Sequence, residues 1–283
     1  MNHFRTICGV WHIDFDYGLE QLGSYLHNIE LLEKGATITD LFSAPKEKSR
    51  ELLVQTDSAL TVISSVDEAP ENSILEVSFS GVMRNDDGLC SIGVESFNKT
   101  LYEAYSNTNI KGILVNLNSG GGESSSGYSM QQAIADANKP LVVRTNLLGS
   151  AALNAAVAAK EIIAASDGAM IGSIGSYFSI NMQMLSYIKN NYKDIYSKVS
   201  PDKNKSFRQA LEGDFSLLEK EATQSAVNFQ KAVIKNRSLK ESTKDSTLAG
   251  GMFYAQDAKN RGLVDAVGSR AFALKRINSL LKY

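Results

Sequence analysis

The sequence predicts an α/β protein built from repeated ββα units around a largely parallel sheet. From Ser73 onward, short apolar segments alternate with helical patterns, which is typical of parallel strands joined by crossover connections. Two of these segments, 113–117 and 141–145, are apolar strands that each end in a glycine-containing turn before a helix begins. The chain has 283 residues, of which 43% are hydrophobic, so it is long enough to bury a sizeable core.

The first 70 residues differ in character from the rest of the chain. Residues 1–70 are predicted to form an N-terminal extension for assembly or packing, and the amphipathic stretch around Trp11 indicates a strand or turn followed by a helix. Residues 71–283 are predicted to form the main domain, which ends in a short basic helix. Strands are predicted at 113–117 and 141–145, and a further apolar run covers 161–165. Helices are predicted to begin at Ser150 and to cover 215–237 and 271–283.

Ser150 stands at the start of a helix that consists almost entirely of alanine, at residues 151–159. The N–H groups in the first turn of a helix favour negative charge beside them. A helix with such small side chains must pack tightly against a neighbour, which would hold Ser150 rigidly, as a nucleophile requires. The alternative is that Ser150 is only an N-cap, the usual role of a serine at a helix start.

The distribution of histidine bears on which base could activate Ser150. The chain has only three histidines, and all lie in its first tenth, so a Ser–His–Asp arrangement would need the N-terminus to fold back. A Ser–Lys dyad needs no histidine, because a lysine that has lost its charge can accept the serine proton. Such a lysine must have its pKa lowered from about 10.4 toward the working pH. The downstream candidates are Lys160, Lys189, Lys193, Lys198, Lys203 and Lys205.

Three consecutive glycines, Gly120 to Gly122, lie between a predicted strand and a predicted helix. Such a run lets the backbone approach a ligand closely and present N–H groups to it. In acyl transfer it would form an oxyanion hole, and in a nucleotide-binding protein it would cradle a phosphate. The chain has no GxxxxGK[ST] motif and no GxGxxG at this turn, which makes the phosphate interpretation the weaker one.

Four motifs in a fixed order resemble the signal peptide peptidase A family of serine–lysine peptidases, which have the ClpP/crotonase fold. They are NSGGG at 118–122, a serine before a helix that ends in AAKEI at 158–162, GSIG at 172–175, and a closing segment with GLVD. The resemblance covers about residues 74–267. The chain departs from the family pattern at Gly120, where the family has proline, and at Ala151 and Ala152, where it has glycines.

The resemblance implies a role for each matching residue. Ser150 falls on the nucleophile, and Lys203 lies nearest the expected position of the base, with Lys205 as second choice. The serine of GSIG, Ser173, would orient the lysine. The oxyanion hole would be formed by backbone N–H groups of Gly121 or Gly122 and of Ala151. No cofactor and no metal ion are expected.

The charge and composition of the chain limit the classes of binding partner that we expect. A net charge of −2 gives no electrostatic reason to expect nucleic acid or an anionic membrane surface as a partner. No apolar run reaches 18 residues, and acidic residues follow where a signal peptide would continue its apolar core, so we expect a cytoplasmic protein without a membrane anchor. The two cysteines, Cys8 and Cys90, have no metal-ligand spacing and are expected to be reduced.

The anchor-free form with an N-terminal extension looks most like the phage-encoded branch of the family, whose members process scaffold and capsid proteins inside the assembling prohead. This implies protein or peptide substrates, a homo-oligomer, and a location in the host cytoplasm or the prohead interior. Three alternatives stay open: a bacterial cytosolic peptidase, an inactive scaffold protein of the same fold, and a crotonase-type acyl-CoA hydratase. The hydratase is disfavoured because the acids between Gly120 and Ser176 form no evident pair.

Overall fold

A seven-stranded, largely parallel sheet forms the centre of the structure. The structure is a computed structural model, and it describes residues 10–13, 52–57, 59–87, 91–239 and 246–282. In chain order the strands are β1 (Val10–Ile13), β2 (Leu52–Gln55), β3 (Leu60–Ile63), β4 (Ser73–Ser80), β5 (Ile110–Asn118), β6 (Gly121–Glu123), β7 (Leu141–Thr145), β8 (Leu147–Gly149), β9 (Glu161–Ala164), β10 (Met170–Gly172), β11 (Tyr177–Phe178), β12 (Met252–Tyr254) and β13 (Ala266–Val267).

Eight α-helices lie in the described part of the chain, together with short 3₁₀ turns at Val66–Glu68 and Ser246–Leu248. The α-helices are α1 (Val94–Ser106), α2 (Ser124–Ala135), α3 (Ala151–Ala156), α4 (Met182–Asn191), α5 (Lys205–Leu211), α6 (Ser216–Arg237), α7 (Ala255–Asn260) and α8 (Arg270–Leu280). The long helix predicted at 215–237 and the C-terminal helix predicted at 271–283 are therefore both present. The alanine-rich helix is shorter than its sequence suggested, because the chain returns to the sheet at β9.

The central sheet has the strand order β13–β9–β7–β5–β4–β2–β3. The five strands from β13 to β4 run parallel, and β2 and β3 extend the sheet antiparallel to their neighbours. In each ββα unit the second strand leaves the central sheet: β8 and β10 pair with each other beside β12, and β6 pairs with β1. The predicted α/β class with repeated ββα units is confirmed.

The central strands are buried on both faces, which explains why their sequences are continuous apolar runs. On one face Leu114, Val142 and Ile163 pack against α8. Side chains that alternate with these along the same strands join the main core on the other face, which α1, α2 and α3 cover.

The predicted boundary at residue 70 lies inside the region that builds the sheet. Strand β2 pairs with β4, and β3 pairs with β2, so residues 52–63 are part of the central sheet. Leu52, Val54 and Ile63 are buried in the main core. How the rest of residues 1–70 is organised stays a prediction, apart from β1, which occurs where the sequence predicted a strand or turn around Trp11.

Helix α8 is fastened to the sheet by an apolar centre and two ion pairs. Ile277 is fully buried and packs so closely on β5 that a Cβ at Gly112 would lie 2.4 Å from its Cγ2 atom. Arg270 Nε donates to Glu76 Oε2 at 2.7 Å, and Arg276 Nε donates to Glu161 Oε2 at 2.8 Å. The hydrogen bond to Glu161 and its negative charge raise the pKa of Arg276. The C-terminal helix therefore has a packing role.

We expect Ile277→Ala to lower the free energy of unfolding by about 2–4 kcal/mol, because it removes most of a fully buried side chain and leaves a cavity between α8 and β5. Chemical denaturation monitored by circular dichroism measures this change. Asn278→Ala, an exposed position on the same helix, is the control and should stay within about 0.5 kcal/mol of the unmodified protein. Equal stability of the two variants would show that α8 is not part of the core.

Candidate active site

Three of the sequence motifs meet at one edge of parallel strands. The chain just after β5 pairs in parallel with β8 through a bridge between Ser119 and Leu148. Strand β8 pairs in parallel with β10, with Gly149 opposite Gly172. Because parallel strands end at the same edge, the residues that follow these pairs lie side by side. The glycine run, Ser150 and Ser173 therefore share one edge.

Ser150 has the backbone geometry of a strained turn between a strand and a helix. Its φ is 51° and its ψ is −116°, and its residue surface is 1% exposed. A non-glycine residue in this region costs about 1–3 kcal/mol, and such residues cluster at active sites. A strained turn between a strand and a helix also holds the nucleophilic serine of α/β-hydrolases. Although Ser150 occupies the N-cap position of α3, its hydroxyl accepts no hydrogen bond from the helix N–H groups, so it does not act as the usual serine cap.

Backbone hydrogen bonds and small residues hold Ser150 in this conformation. Its N–H donates to the carbonyl oxygen of Gly172 at 2.9 Å, and its own carbonyl accepts from Asn154 at 2.9 Å. All six residues of α3 are buried. Helix α2 packs so closely on α3 that a Cβ at Gly127 would lie 2.9 Å from the Ala151 carbonyl oxygen. This agrees with the rigid setting that the alanine-rich sequence predicted.

Ser173 lies beside Ser150 because each follows one member of the Gly149–Gly172 pair. Ser173 also has a positive φ, 56°, and its N–H donates to the carbonyl oxygen of Gly251 at 2.8 Å. Gly172 has a φ of 145°, and a Cβ there would lie 2.1 Å from that same carbonyl oxygen. The GSIG loop thus connects Ser150 on one side to the closing segment of the chain on the other.

We expect Gly172→Ala to lower the free energy of unfolding by about 2–4 kcal/mol, because a methyl group cannot fit against the Gly251 carbonyl at this φ. The forced shift would also move the carbonyl that holds the Ser150 N–H. Thermal and chemical denaturation measure the loss. Gly175→Ala, in the same loop but with open space around its Cβ, is the control and should change stability by no more than about 0.5 kcal/mol. If both variants are equally stable, Gly172 does not constrain the site.

The glycine run contacts the backbone just before Ser150. A Cβ at Gly149 would lie 3.0 Å from the carbonyl oxygen of Gly120. The N–H of Gly121 donates to Ser119 Oγ at 3.0 Å, so this amide is already engaged. Of the two glycine amides suggested by the sequence, Gly121 is the one whose N–H is bonded within the turn itself, whereas Gly122 lies opposite His12 in the β1–β6 pairing. Sequence reasoning missed this role of Ser119; the signal was a serine two residues before a glycine, a common side-chain turn.

Lys203 and Lys205, the two lysines that the resemblance suggests as the base, lie on the protein surface. Lys203 is exposed, and Lys205 Nζ pairs with Asp202 Oδ1 at 3.1 Å. Among the described residues, no hydrogen bond or ion pair connects either ammonium group to the Ser150 region. The segment before these lysines carries two apolar side chains in water, Ile195 at 91% and Val199 at 90% exposure.

One histidine does fold back to the site. Strand β1 pairs antiparallel with β6, which places His12 opposite Gly122. His3 and His27 lie outside the described residues, as do Cys8 and Cys90. In the described ranges, no three His, Cys, Asp or Glu side chains are grouped so that they could hold a metal ion. None of the helices in these ranges combines the length and apolarity needed to cross a membrane.

Comparison with known proteins points to a family of peptidases. The family model described as Peptidase family S49 matches residues 133–283. A protein of Methanocaldococcus jannaschii, described only as a candidate protease, is 27% identical over 179 residues, which are 60% of this chain and 56% of that protein. The chain therefore spans little more than half the length of this relative.

Solved structures similar to this chain include a ClpP1 mutant from Listeria monocytogenes and an enoyl-CoA hydratase from Shewanella pealeana. The first is 15% identical, with 70% of this chain and 94% of that chain covered and a TM-score of 0.48. The second is 12% identical, with 88% and 79% covered and a TM-score of 0.44. Neither likeness bears on the activity of this chain.

Proposed function

The chain belongs to peptidase family S49, and from that premise we propose that it is a serine endopeptidase with Ser150 as its nucleophile. The observation that carries this proposal is the Ser150 backbone. A buried serine is held at a φ of 51° at the edge where three motifs meet, and its hydroxyl is not used to cap the helix. Strain of this kind persists only where the surrounding structure enforces it.

The proposed reaction begins with attack of Ser150 Oγ on the carbonyl carbon of a peptide bond. The hydroxyl proton passes to the Nζ atom of a neutral lysine, Lys203 or as second choice Lys205, and Ser173 would orient that lysine. The lysine then returns the proton to the departing amine, leaving an ester between Ser150 and the acyl part of the substrate. Water attacks this ester and releases the second product.

The negative charge that develops on the carbonyl oxygen would be held by the N–H groups of Ala151 and Gly122, with Gly121 as the alternative to Gly122. The amides in the first turn of a helix have no partner within the helix, so the Ala151 N–H is suited to this role. Each donor of this kind is typically worth about 3 kcal/mol of barrier. The bond between the Gly121 N–H and Ser119 Oγ supports Gly122 as the donor.

We further propose that the active form is a homo-oligomer. The candidate lysines are exposed, and they follow a segment in which Ile195 and Val199 are almost fully in water. A second copy that covers this segment would bury those side chains and remove water from the lysines, which is what a neutral lysine base needs. Mass measurement in solution over a wide concentration range tests this, and a strictly monomeric active enzyme would contradict it.

The proposed substrates are proteins or peptides, and more narrowly phage capsid and scaffold proteins during head maturation. The support for the narrower class is the sequence resemblance to the phage-encoded branch. It would place the enzyme in the host cytoplasm or the prohead interior. Peptide mapping of proteins cleaved in the native host or phage tests it, and cleavage confined to host proteins would favour the bacterial cytosolic alternative.

The carboxylates between Gly120 and Ser176 support a peptidase over an acyl-CoA hydratase of the same fold. Each of these acids is engaged with a different partner, so no two of them form a pair. Their hydrogen-bond donors are Ser126 for Glu123, Tyr102 for Asp136, Arg276 for Glu161 and Gln256 for Asp167.

The experiment that tests the function compares a peptide library with CoA thioesters, using the unmodified protein and Ser150→Ala. Peptide cleavage that depends on Ser150 supports the peptidase. Thioester turnover that survives in Ser150→Ala would instead support the hydratase. Absence of any turnover by a correctly assembled oligomer would favour the inactive scaffold.

A further inference from the structure

A strand from near the start of the sequence fills the space between two strands of the candidate site. Strand β1 is the middle strand of a three-stranded sheet with the order β11–β1–β6. It runs antiparallel to both neighbours, with Trp11 opposite Glu123 on one side and Tyr177 on the other. Both partners are distant in sequence, so this pairing is a tertiary interaction and not a hairpin.

Both neighbours of β1 extend from the site motifs. Strand β6 contains Gly121 and Gly122, and β11 begins four residues after Ser173. Strand β1 also contacts α3, the helix that begins directly after Ser150. Among the described residues, β11 has β1 as its one strand partner.

The backbone of Gly122 is directed at β1. On the other side of β6, the Gly121 carbonyl accepts from the Met83 N–H and the Glu123 N–H donates to the Met83 carbonyl, each at 2.9 Å. Successive residues of a strand direct their polar groups to opposite sides, so the Gly122 N–H faces the other way, where His12 is its partner in the register. The amide proposed to stabilise the oxyanion therefore faces the β1 backbone.

We propose that Val10–Ile13 is an intramolecular pseudosubstrate: it occupies the slot in which the backbone of an extended peptide substrate would pair, and hydrolysis requires its displacement. This inference rests on the proposed peptidase function. An extended segment that pairs with strand edges on both sides gains affinity from its main chain, largely independent of its side chains. Because the segment is tethered, its effective concentration reaches up to about millimolar, enough to compete with a weakly binding peptide.

The first test uses two full-length variants at the centre of β1. His12→Pro removes the N–H that the ladder uses and does not fit a central strand, whereas His12→Ala keeps the backbone pairing. We expect His12→Pro to raise kcat/KM for a short peptide about tenfold or more, and His12→Ala to stay within about threefold of the unmodified protein. Thermal denaturation establishes that both are folded. A folded His12→Pro protein without increased activity would overturn the proposal.

The same pair of variants distinguishes two roles: β1 as a pseudosubstrate, and His12 as a catalytic residue. If His12 supplied the general base, His12→Ala would abolish hydrolysis, and this too would overturn the proposal. Intact mass shows whether the unmodified protein cleaves its own chain next to residue 12. If it does, and if Ser150→Ala does not, then β1 is a substrate of the enzyme and not a segment that stays bound in the slot. That result would likewise overturn it.

The second test measures the displacement of β1 and does not require catalysis. Trp11 is the only tryptophan of the chain, so its fluorescence in the Ser150→Ala protein reports on β1 alone. The probe is a synthetic peptide of residues 9–15 with phenylalanine in place of tryptophan. The matched control is the same peptide methylated on the backbone nitrogen of its histidine, which cannot donate to the ladder.

We expect a saturable change in Trp11 emission with the probe peptide and at least tenfold weaker binding of the methylated one. A probe that binds without changing Trp11 emission, or equal binding of both peptides, would overturn the proposal. If no variant hydrolyses any peptide, the proposed function fails, while displacement of β1 is still decided by this titration.

Discussion

Replacing Ser150 by alanine is expected to reduce peptide hydrolysis by roughly 10³-fold or more, because the residual rate of an enzyme without its nucleophile comes from binding and the oxyanion hole alone. Ser150→Gly should be equally inactive but more stable than the unmodified protein by about 1 kcal/mol, since glycine adopts a φ of 51° without strain. Steady-state kinetics and chemical denaturation measure the two effects.

Ser73→Ala is the control for this pair. Ser73 is also a fully buried serine, but it lies at the first residue of β4, at the end of the sheet opposite to the site. We expect its removal to leave hydrolysis unchanged. If Ser150→Ala kept more than a tenth of the activity, or if Ser150→Gly were less stable than the unmodified protein, the strained-nucleophile account would be wrong.

Replacing Lys203 by alanine is expected to reduce kcat/KM by about 10²–10⁴-fold, the usual contribution of a general base. Lys205→Ala should retain most of the activity, because Lys205 is engaged with Asp202 in the structure. Lys198→Ala, in the same exposed segment, is a control for charge alone.

The outcomes for the two lysines separate the assignments. Full activity in Lys203→Ala together with an inactive Lys205→Ala would move the base to Lys205. Full activity in both variants would exclude a dyad with either lysine. His12, whose backbone lies opposite Gly122, would then be the next candidate for the base.

The parts of the fold that depend on local sequence could be predicted. Strands β7 and β9 occur where continuous apolar runs indicated them, because burial on both faces leaves no polar position to interrupt the run. The position of Ser150 between a strand and a helix followed from the turn and the alanine-rich segment. Its positive φ could not be predicted, since the bond from its N–H to the Gly172 carbonyl is tertiary.

The parts of the site that depend on distant pairing could not be predicted. A four-residue strand such as β1 carries no signal for its partners, which lie more than a hundred residues further along the chain. The hydrogen bond from the Gly121 N–H to Ser119 Oγ depends on the conformation of the turn, and several turn conformations are compatible with the same sequence. Separation along the chain selected Lys203, but it could not show that both candidate lysines face solvent.

The most direct test of the central claim is to locate the acyl group during turnover. The protein is incubated with an activated ester of a short peptide, quenched in acid, and examined by intact mass and by peptide mapping. We expect one acyl group per chain, on Ser150, and none in Ser150→Gly. An acyl group on another residue, or turnover of the ester by the Ser150→Gly protein at the unmodified rate, would contradict Ser150 as the nucleophile.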